Sequence, residues 1–237
     1  MHCHILPALD DGALHLADSV AMARQAQADG IAVVCATPHI RADHDVRIEE
    51  LCERVAALEV ELAREGVAVH VVPGGEVAQH AAQGLSAREL RQVSLAGAGW
   101  VLIEPAPGPL GQELLELVDR LAARGERMIV AHPERHAGAD FEERLRALVQ
   151  RGCLIQWTAE FIAQRDPADP ADFVLGLARD GLVHLLGSDA HSSLAGRPVQ
   201  LRAGLQRLAE VCPPEHVRWI AETAPWAVLR GEPLTPP

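Results

Sequence analysis

Short, nearly all-apolar runs recur along the chain at residues 31–36, 67–72, 100–104, 128–131, 154–158 and 183–186. Each is a few residues long and mostly lacks the polar alternation of a half-buried strand. That pattern predicts parallel strands covered on both faces. Between them the period changes to that of a helix. Leu51, Val55, Leu58 and Leu62 repeat at +4, +3, +4, which predicts an amphipathic helix over 47–65 ending at Gly66. A helix over 17–29 ends at Gly30, and one over 172–179 ends at Gly181. Another carries Leu114, Leu115, Val118 and Leu121 and ends near Gly125; a further one carries Phe141, Leu145, Leu148 and Val149 and ends at Gly152.

Helix, glycine, then buried strand is the junction of an alternating fold, so the class expected is α/β with a parallel sheet. No composition break divides the chain. One domain is expected over 1–230, followed by a Pro-rich tail, 231–237, that should fray. With a first strand around His2, about seven strands are expected.

The polar residues refine this picture. The first segment gives His2-Cys3-His4 and then Asp10-Asp11-Gly12. Later strands run out into Thr37-Pro38-His39, Gly75-Glu76, Glu104-Pro105, His132-Pro133-Glu134-Arg135-His136 and Ser188-Asp189-Ala190-His191. Strand after strand ends in a His, Asp or Glu. In a parallel barrel those ends converge on one face, whereas an open sheet would spread them along an edge, so a (β/α) barrel is expected.

Convergence would gather His2, His4, Asp11, His39, Glu76, Glu104, His132, Asp189 and His191. Any one of these alone is an ordinary surface or core position; the signal lies in their succession. Four carboxylates brought together and buried repel one another and lose solvation unless cations hold them. Imidazole and carboxylate donors suit Zn, Mn or Fe(II), and nine donors suit two or three ions with bridging carboxylates.

The other histidines have plainer expectations. His15 and His216 read as surface positions, His70 and His184 as core residues within strands. His44 and His80 read as loop residues near the ligands, able to support them or move protons. Five scattered cysteines without a CxxC pattern suggest buried free thiols in a reducing compartment. Cys3, between two histidines, should point away from them if the segment is extended.

Composition narrows the partners. The 237 residues carry 21 basic and 33 acidic side chains, a net charge of −12, which argues against a general nucleic-acid or anionic-membrane surface. No apolar stretch is long enough to span a membrane and no leader pattern opens the chain, so a cytoplasmic protein without membrane insertion is expected. Lys, Tyr and Asn are absent. The absence of Lys counts against a metal-dependent hydrolase built on a carbamylated lysine.

The quoted motifs, together with Gln156-Trp157-Thr158-Ala159 and Gly196-Arg197-Pro198, resemble the PHP (polymerase and histidinol phosphatase) superfamily. Within it, Leu6-Pro7 with Asp10-Asp11-Gly12 and His132-Pro133-Glu134-Arg135 resemble the metal-dependent protein-tyrosine phosphatases of bacterial capsule and exopolysaccharide loci. The resemblance implies a distorted seven-stranded barrel, the PHP fold, with three divalent ions, Mn or Fe foremost and Zn also suited. It implies His2, His4 and Asp189 on one ion, Glu76 bridging to a second held also by Glu104 and His132, and Asp11, His39 and His191 on a third. Arg135 matches a phosphate-binding arginine, and Arg197 a second. The implied activity is hydrolysis of phosphotyrosine in a protein, a bacterial tyrosine kinase among the candidates, by a metal-activated water. Histidinol phosphate or another small phosphomonoester is the alternative substrate, and a non-catalytic scaffold the alternative role. The family pattern also has a short strand and an Asp before HxH, which this sequence, beginning Met1-His2, lacks.

Overall fold

The computed structural model describes residues 1–164 and 171–234. Its strands are β1 (Val33–Ala36), β2 (His39–Ile40), β3 (His70–Pro73), β4 (Glu76–Ala78), β5 (Trp100–Glu104), β6 (Arg127–Ala131), β7 (Leu154–Thr158) and β8 (Leu185–Gly187). Six of them form one parallel sheet in the order β2-β4-β5-β6-β7-β8, and β1 pairs with β3 in a second. Thr37-Pro38 and Gly74-Gly75 separate β1 from β2 and β3 from β4, so each of the first two expected runs is followed by a further short strand in the other sheet.

The helices are α1 (Leu16–Asp29), α2 (Leu51–Arg64), α3 (Gln79–Ala82), α4 (Ala87–Val93), α5 (Gln112–Ala123), α6 (Phe141–Gln150), α7 (Ala159–Ala163), α8 (Ala171–Arg179), α9 (Arg202–Leu208), α10 (Pro214–Arg218) and α11 (Ala224–Arg230). The apolar stripe of α2 is buried as its spacing predicts: Leu51, Val55, Leu58 and Leu62 all face the core. Gly30 closes α1 in the left-handed conformation, φ 86°, and its N–H returns to the carbonyls of Ala26 and Gln27.

Alternate strand residues enter different cores. Val101 and Ile103 of β5, Val130 of β6 and Ile155 of β7 pack with the helices in the larger cluster. Trp100, Leu102, Ile129, Ala131, Leu154 and Leu185 pack in a smaller one, closed by Ala224 and Val228 of α11. On the period of two, the positions after Leu102, Leu154 and Leu185 on this second face are Glu104, Gln156 and Gly187. The apolar packing on this face thus gives way to polar residues at the C-terminal strand ends, which is where the site lies.

Residues 2–4 form no named strand, yet both their flanks are bonded. His4 N–H donates to Ala190 O (2.9 Å), and Asp189 N–H donates to His2 O (3.0 Å). On the other side Thr37 N–H donates to Cys3 O (2.9 Å), and Cys3 N–H donates to Thr37 Oγ1 (2.9 Å). The segment therefore links the end of β8 to the end of β1.

Several expectations need correction. His70 is the first residue of β3 and its side chain is 79% exposed, because the pairing starts only there. His216 is buried, on α10. Cys52 is exposed, whereas the other four thiols are buried. The described part of the expected tail is held in place: Arg127 donates to the carbonyls of Gly231 and Glu232, and Leu234 packs on the smaller core. Residues 235–237 of that tail lie outside the described residues. Among the described residues, no helix is long and apolar enough to cross a membrane.

Candidate metal centre

Glu76, fully buried at the start of β4, is the hub. The β2–β4 register sets it directly beside His39. Its Oε2 lies 3.0 Å from His39 Nδ1, 3.2 Å from His2 Nε2 and 3.3 Å from His4 Nε2, and its Oε1 lies 2.6 Å from His132 Nε2. Asp189 Oδ1 lies 3.4 Å from both His2 Nε2 and His4 Nε2. Asp11 Oδ1 lies 3.5 Å from the Nε2 atoms of His39 and His191, and Glu104 Oε2 lies 3.8 Å from His39 Nδ1.

Three groups of donors able to hold a cation result: His2, His4, Glu76 and Asp189; His4, Asp11, His39 and His191; and His39, Glu76 and Glu104. The first and third of the expected ligand sets are brought together, each with the neighbour that links it to the next. The middle set differs. His39 stands beside Glu76 and Glu104 where His132 was expected, and His132 bonds Glu76 on its other oxygen.

Hydrogen bonding shows why this donor set suits a cation. Gln156 Nε2 donates to Trp157 O, which turns its Oε1 toward His2 Nδ1 at 3.0 Å. Asp10 Oδ2 faces His4 Nδ1 at 2.7 Å. An Nδ1 proton on each ring suits these acceptors and leaves the two Nε2 atoms facing the cluster. Those atoms lie 3.2 Å apart, with carboxylate oxygens on either side. Glu76 Oε2 and His39 Nδ1 are buried without a hydrogen-bond partner. Ring nitrogens and carboxylate oxygens converging in this way form the environment a divalent ion completes.

Electrostatics agree. Burial by itself disfavours charge on Glu76, yet the surrounding His2, His132 and His39 outweigh it and hold the carboxyl well below its usual range. Asp189 is likewise lowered, against its burial, by His2 and His4. Burial opposes a charged His4, but Asp10, Asp189 and Glu76 hold its pKa well above the usual imidazole value, so an ion at Nε2 would take the place of a proton there. Burial, then the nearby His4, lowers His191 to about 4, which keeps that ring neutral and able to ligate. Cys3 takes no part: its thiol faces Ala190 O, and burial pushes it up to about 12.

Two ligand-type residues hold strained backbone. His132 and Asp189, just past β6 and β8, adopt φ of 31° and 49°, in the left-handed region that side chains other than glycine rarely occupy. Such strain recurs where geometry is imposed for function.

Arg135 and Arg197 both reach Asp189. Arg135 contacts its Oδ2, and Arg197 donates to the same oxygen at 2.8 Å and to the Asp189 carbonyl at 3.0 Å. Both side chains are partly exposed and line the cavity above the cluster together with Asp11, His39 and His191. His44 stacks on His39, ring centres 5.3 Å apart. His80 lines a neighbouring cavity. Three participants lay outside the sequence expectations: Asp10 and Gln156, which orient His4 and His2, and Arg41, at the cavity mouth. The Asp-Asp-Gly and Gln-Trp-Thr motifs pointed at the first two without giving their role.

The family model for capsular polysaccharide synthesis, CpsB/CapC, matches residues 1–230. The chain belongs to the CpsB/CapC family. Among its CpsB/CapC relatives, the tyrosine-protein phosphatase YwqE of Bacillus subtilis is 33% identical over 199 residues, covering 81% of this chain and 76% of that protein. The tyrosine-protein phosphatase CpsB of Streptococcus pneumoniae is 23% identical over 218 residues, 89% of each chain. A crystal structure from work on YwqE of B. subtilis and CpsB of S. pneumoniae, named there metal-dependent tyrosine phosphatases, superposes with a TM-score of 0.85 at 29% identity, over 100% of this chain and 96% of that one. A β-aspartyl dipeptidase from Fervidobacterium islandicum shares the fold alone, at 16% identity and a TM-score of 0.58, over 99% of this chain and 76% of that one.

Proposed function

We propose that this protein is a metal-dependent phosphatase that hydrolyses phosphotyrosine in proteins, a bacterial tyrosine kinase among its substrates, from a single cytoplasmic domain over residues 1–230. The observation that carries the reading is the facing pair of Nε2 atoms of His2 and His4, closed in by Glu76 and Asp189 beneath two partly exposed arginines. The names of the CpsB/CapC relatives supply the reaction. The bonded flanks of residues 2–4 support a distorted seven-stranded barrel, with that segment as its first strand.

Three divalent ions, Mn or Fe foremost, fit the donors. His2, His4 and Asp189 would hold the first, with Glu76 shared to a second beside Glu104 and His132. Asp11, His39 and His191 would hold the third. Ions held there supply an activated water and neutralise charge on the phosphoryl oxygens.

The chain's own residues do the rest. Gln156 and Asp10 fix the ring orientations of His2 and His4. Arg135 and Arg197 bind the phosphoryl group through charge-assisted hydrogen bonds, in exchange for part of their hold on Asp189. Among the described residues, no cysteine lines the cavity above the cluster, and Cys3 and Cys35 are buried, with thiol pKa values raised chiefly by burial.

The test is one purification. Metal content is measured by mass spectrometry, and phosphate release is followed from a phosphotyrosine peptide and from histidinol phosphate with added Mn. Release from the peptide in preference to histidinol phosphate is expected; the reverse order would make this a small-molecule phosphatase.

A further inference from the structure

We propose that Arg41 reads an acidic residue beside the phosphotyrosine, so that the preferred substrates are phosphopeptides with Glu or Asp flanking the modified side chain. This inference rests on the phosphotyrosine reading above and names the substrate class for that site.

Two cavities meet at the mouth of the cluster. One, of about 380 Å³, holds Arg135 and Arg197 over Asp11, His39 and His191. The other, of about 470 Å³, runs from there past Gln79, His80 and Pro107 to His136. Arg41, Glu104 and Arg135 line both. Arg197 lines the first and not the second, so Arg41 and Arg135 are the guanidiniums that the two cavities share. A phosphate held at Arg135 and Arg197 leaves the second cavity open to the next part of the substrate, and Arg41 stands on the rim between the two.

The present partners of Arg41 leave it available. Its Nε lies 2.9 Å from Asp43 Oδ1, but the Asp43 side chain is 66% exposed and sits on the same loop. An ion pair with so exposed a partner contributes little and exchanges readily for another carboxylate. Its Nη1 lies 3.7 Å from Glu104 Oε2, the same oxygen that faces His39 in the third donor group. A cation held by that group takes up the carboxylate and leaves the guanidinium without it. Its Nη2 lies 3.0 Å from His44 Nε2, which brings no carboxylate to the guanidinium. The Arg41 side chain is a quarter exposed and lines both cavities, open to a substrate side chain.

Charge gives this contact its selectivity. The chain carries a net −12, and its general field repels an acidic segment. Attraction to an acidic flank must therefore be local, and of the two guanidiniums that the cavities share, Arg41 is the one not assigned to the phosphate. A small phosphomonoester carries no flanking carboxylate to pair with it.

The experiment uses three phosphotyrosine peptides of equal length, identical except that the flanking residues are Glu, Ala or Lys. Phosphate release is measured with the metal-loaded protein, its Arg41→Ala and Arg41→Glu variants, and Arg41→Lys as the conservative change. The parent is expected to favour the Glu peptide over the Ala peptide by about two- to fivefold in kcat/KM, chiefly through KM, as one partly exposed ion pair allows. The preference should shrink at high salt. Arg41→Ala should bring the ratio to one, Arg41→Glu should invert it toward the Lys peptide, and Arg41→Lys should keep it. Because each ratio is taken within one variant, a general loss of activity cancels. A parent that does not discriminate, or a preference for Glu that survives Arg41→Glu, overturns the inference while leaving the phosphatase reading intact. Absence of release from all three peptides overturns both.

Discussion

Asp10 Oδ2 lies 2.7 Å from His4 Nδ1 and also accepts the backbone N–H of His39 at 2.9 Å. One carboxylate oxygen thus orients the His4 ring and anchors the backbone that carries His39. Its other oxygen accepts Gly12 N–H, and these bonds hold the carboxyl far below its usual range despite burial. Outer partners of this kind typically contribute about 10- to 100-fold in metal affinity or activity. Asp10→Asn, which keeps an acceptor but loses the charge, should therefore weaken metal binding by about that factor, read by metal titration, with the fold retained by circular dichroism. Unchanged affinity would show that His4 needs no such support.

Glu76 touches four histidines. Glu76→Gln keeps the shape and removes the charge that holds the donors together. Phosphate release should fall to the level of metal-stripped protein, and metal content should drop in mass spectrometry of the purified variant. Full activity would remove this cluster as the catalytic site.

Arg135 is assigned to the phosphate, not to the metals. Arg135→Ala should lower kcat/KM on a phosphotyrosine peptide by about 10- to 100-fold, the scale of a lost charge-assisted hydrogen bond of roughly 1.5–3 kcal/mol. Metal content should stay at the parent level. Loss of metal in this variant would instead show that Arg135 acts by restraining Asp189.

The sequence made the strand ends legible because the signal is the change itself, from an apolar run to a ligand-type residue. The runs ending in His39, Glu76, Glu104, His132 and Asp189 all behave this way. Asp10 and Asp11 sit side by side in a turn with no period to tell them apart, and only the fold shows that one orients His4 while the other faces His39 and His191. Gln156 lies within an apolar run and pairs with His2 across 154 positions, a contact no local pattern encodes. The segment from 202 to 230 escaped because α9, α10 and α11 are short and Pro213, Pro214 and Pro225 interrupt their period. His216 lies on one such helix and was for that reason read as a surface residue.

His184 is buried below β8 with Nε2 unpartnered, while its Nδ1 accepts Ile155 N–H. Burial first, and then nearby His216, lower its pKa to about 4 from 6.5. Between those values the unfolded chain binds the proton and the folded chain does not. Stability from this group is therefore full above about pH 6.5 and is lost as pH falls toward 4. A difference of this size corresponds to about 3 kcal/mol. Urea midpoints across this range should fall less steeply in His184→Gln than in the parent; parallel slopes would show that His184 is not the group responsible.

Gly12 has no room for a side chain. A Cβ there would lie 2.3 Å from His4 O and 2.5 Å from His4 Cβ, and backbone cannot yield as a flexible side chain does. Gly12→Ala should destabilise the protein by about 1–3 kcal/mol and weaken metal binding together, because it pushes on a ligand. A thermal midpoint equal to the parent's would show that the turn can relax.

Residues 2–4 tie the end of β8 to the end of β1 and carry two of the proposed ligands. Closing the architecture and loading the metals are then two readings of one equilibrium. Every free-energy gain from the ions is shared with the seam that joins the first segment to the last strand, so a chelator acts on this chain as a denaturant aimed at one stitch. By the same reciprocity, any change that loosens that stitch, however far from the phosphate, lowers the affinity for the ions by an equal factor.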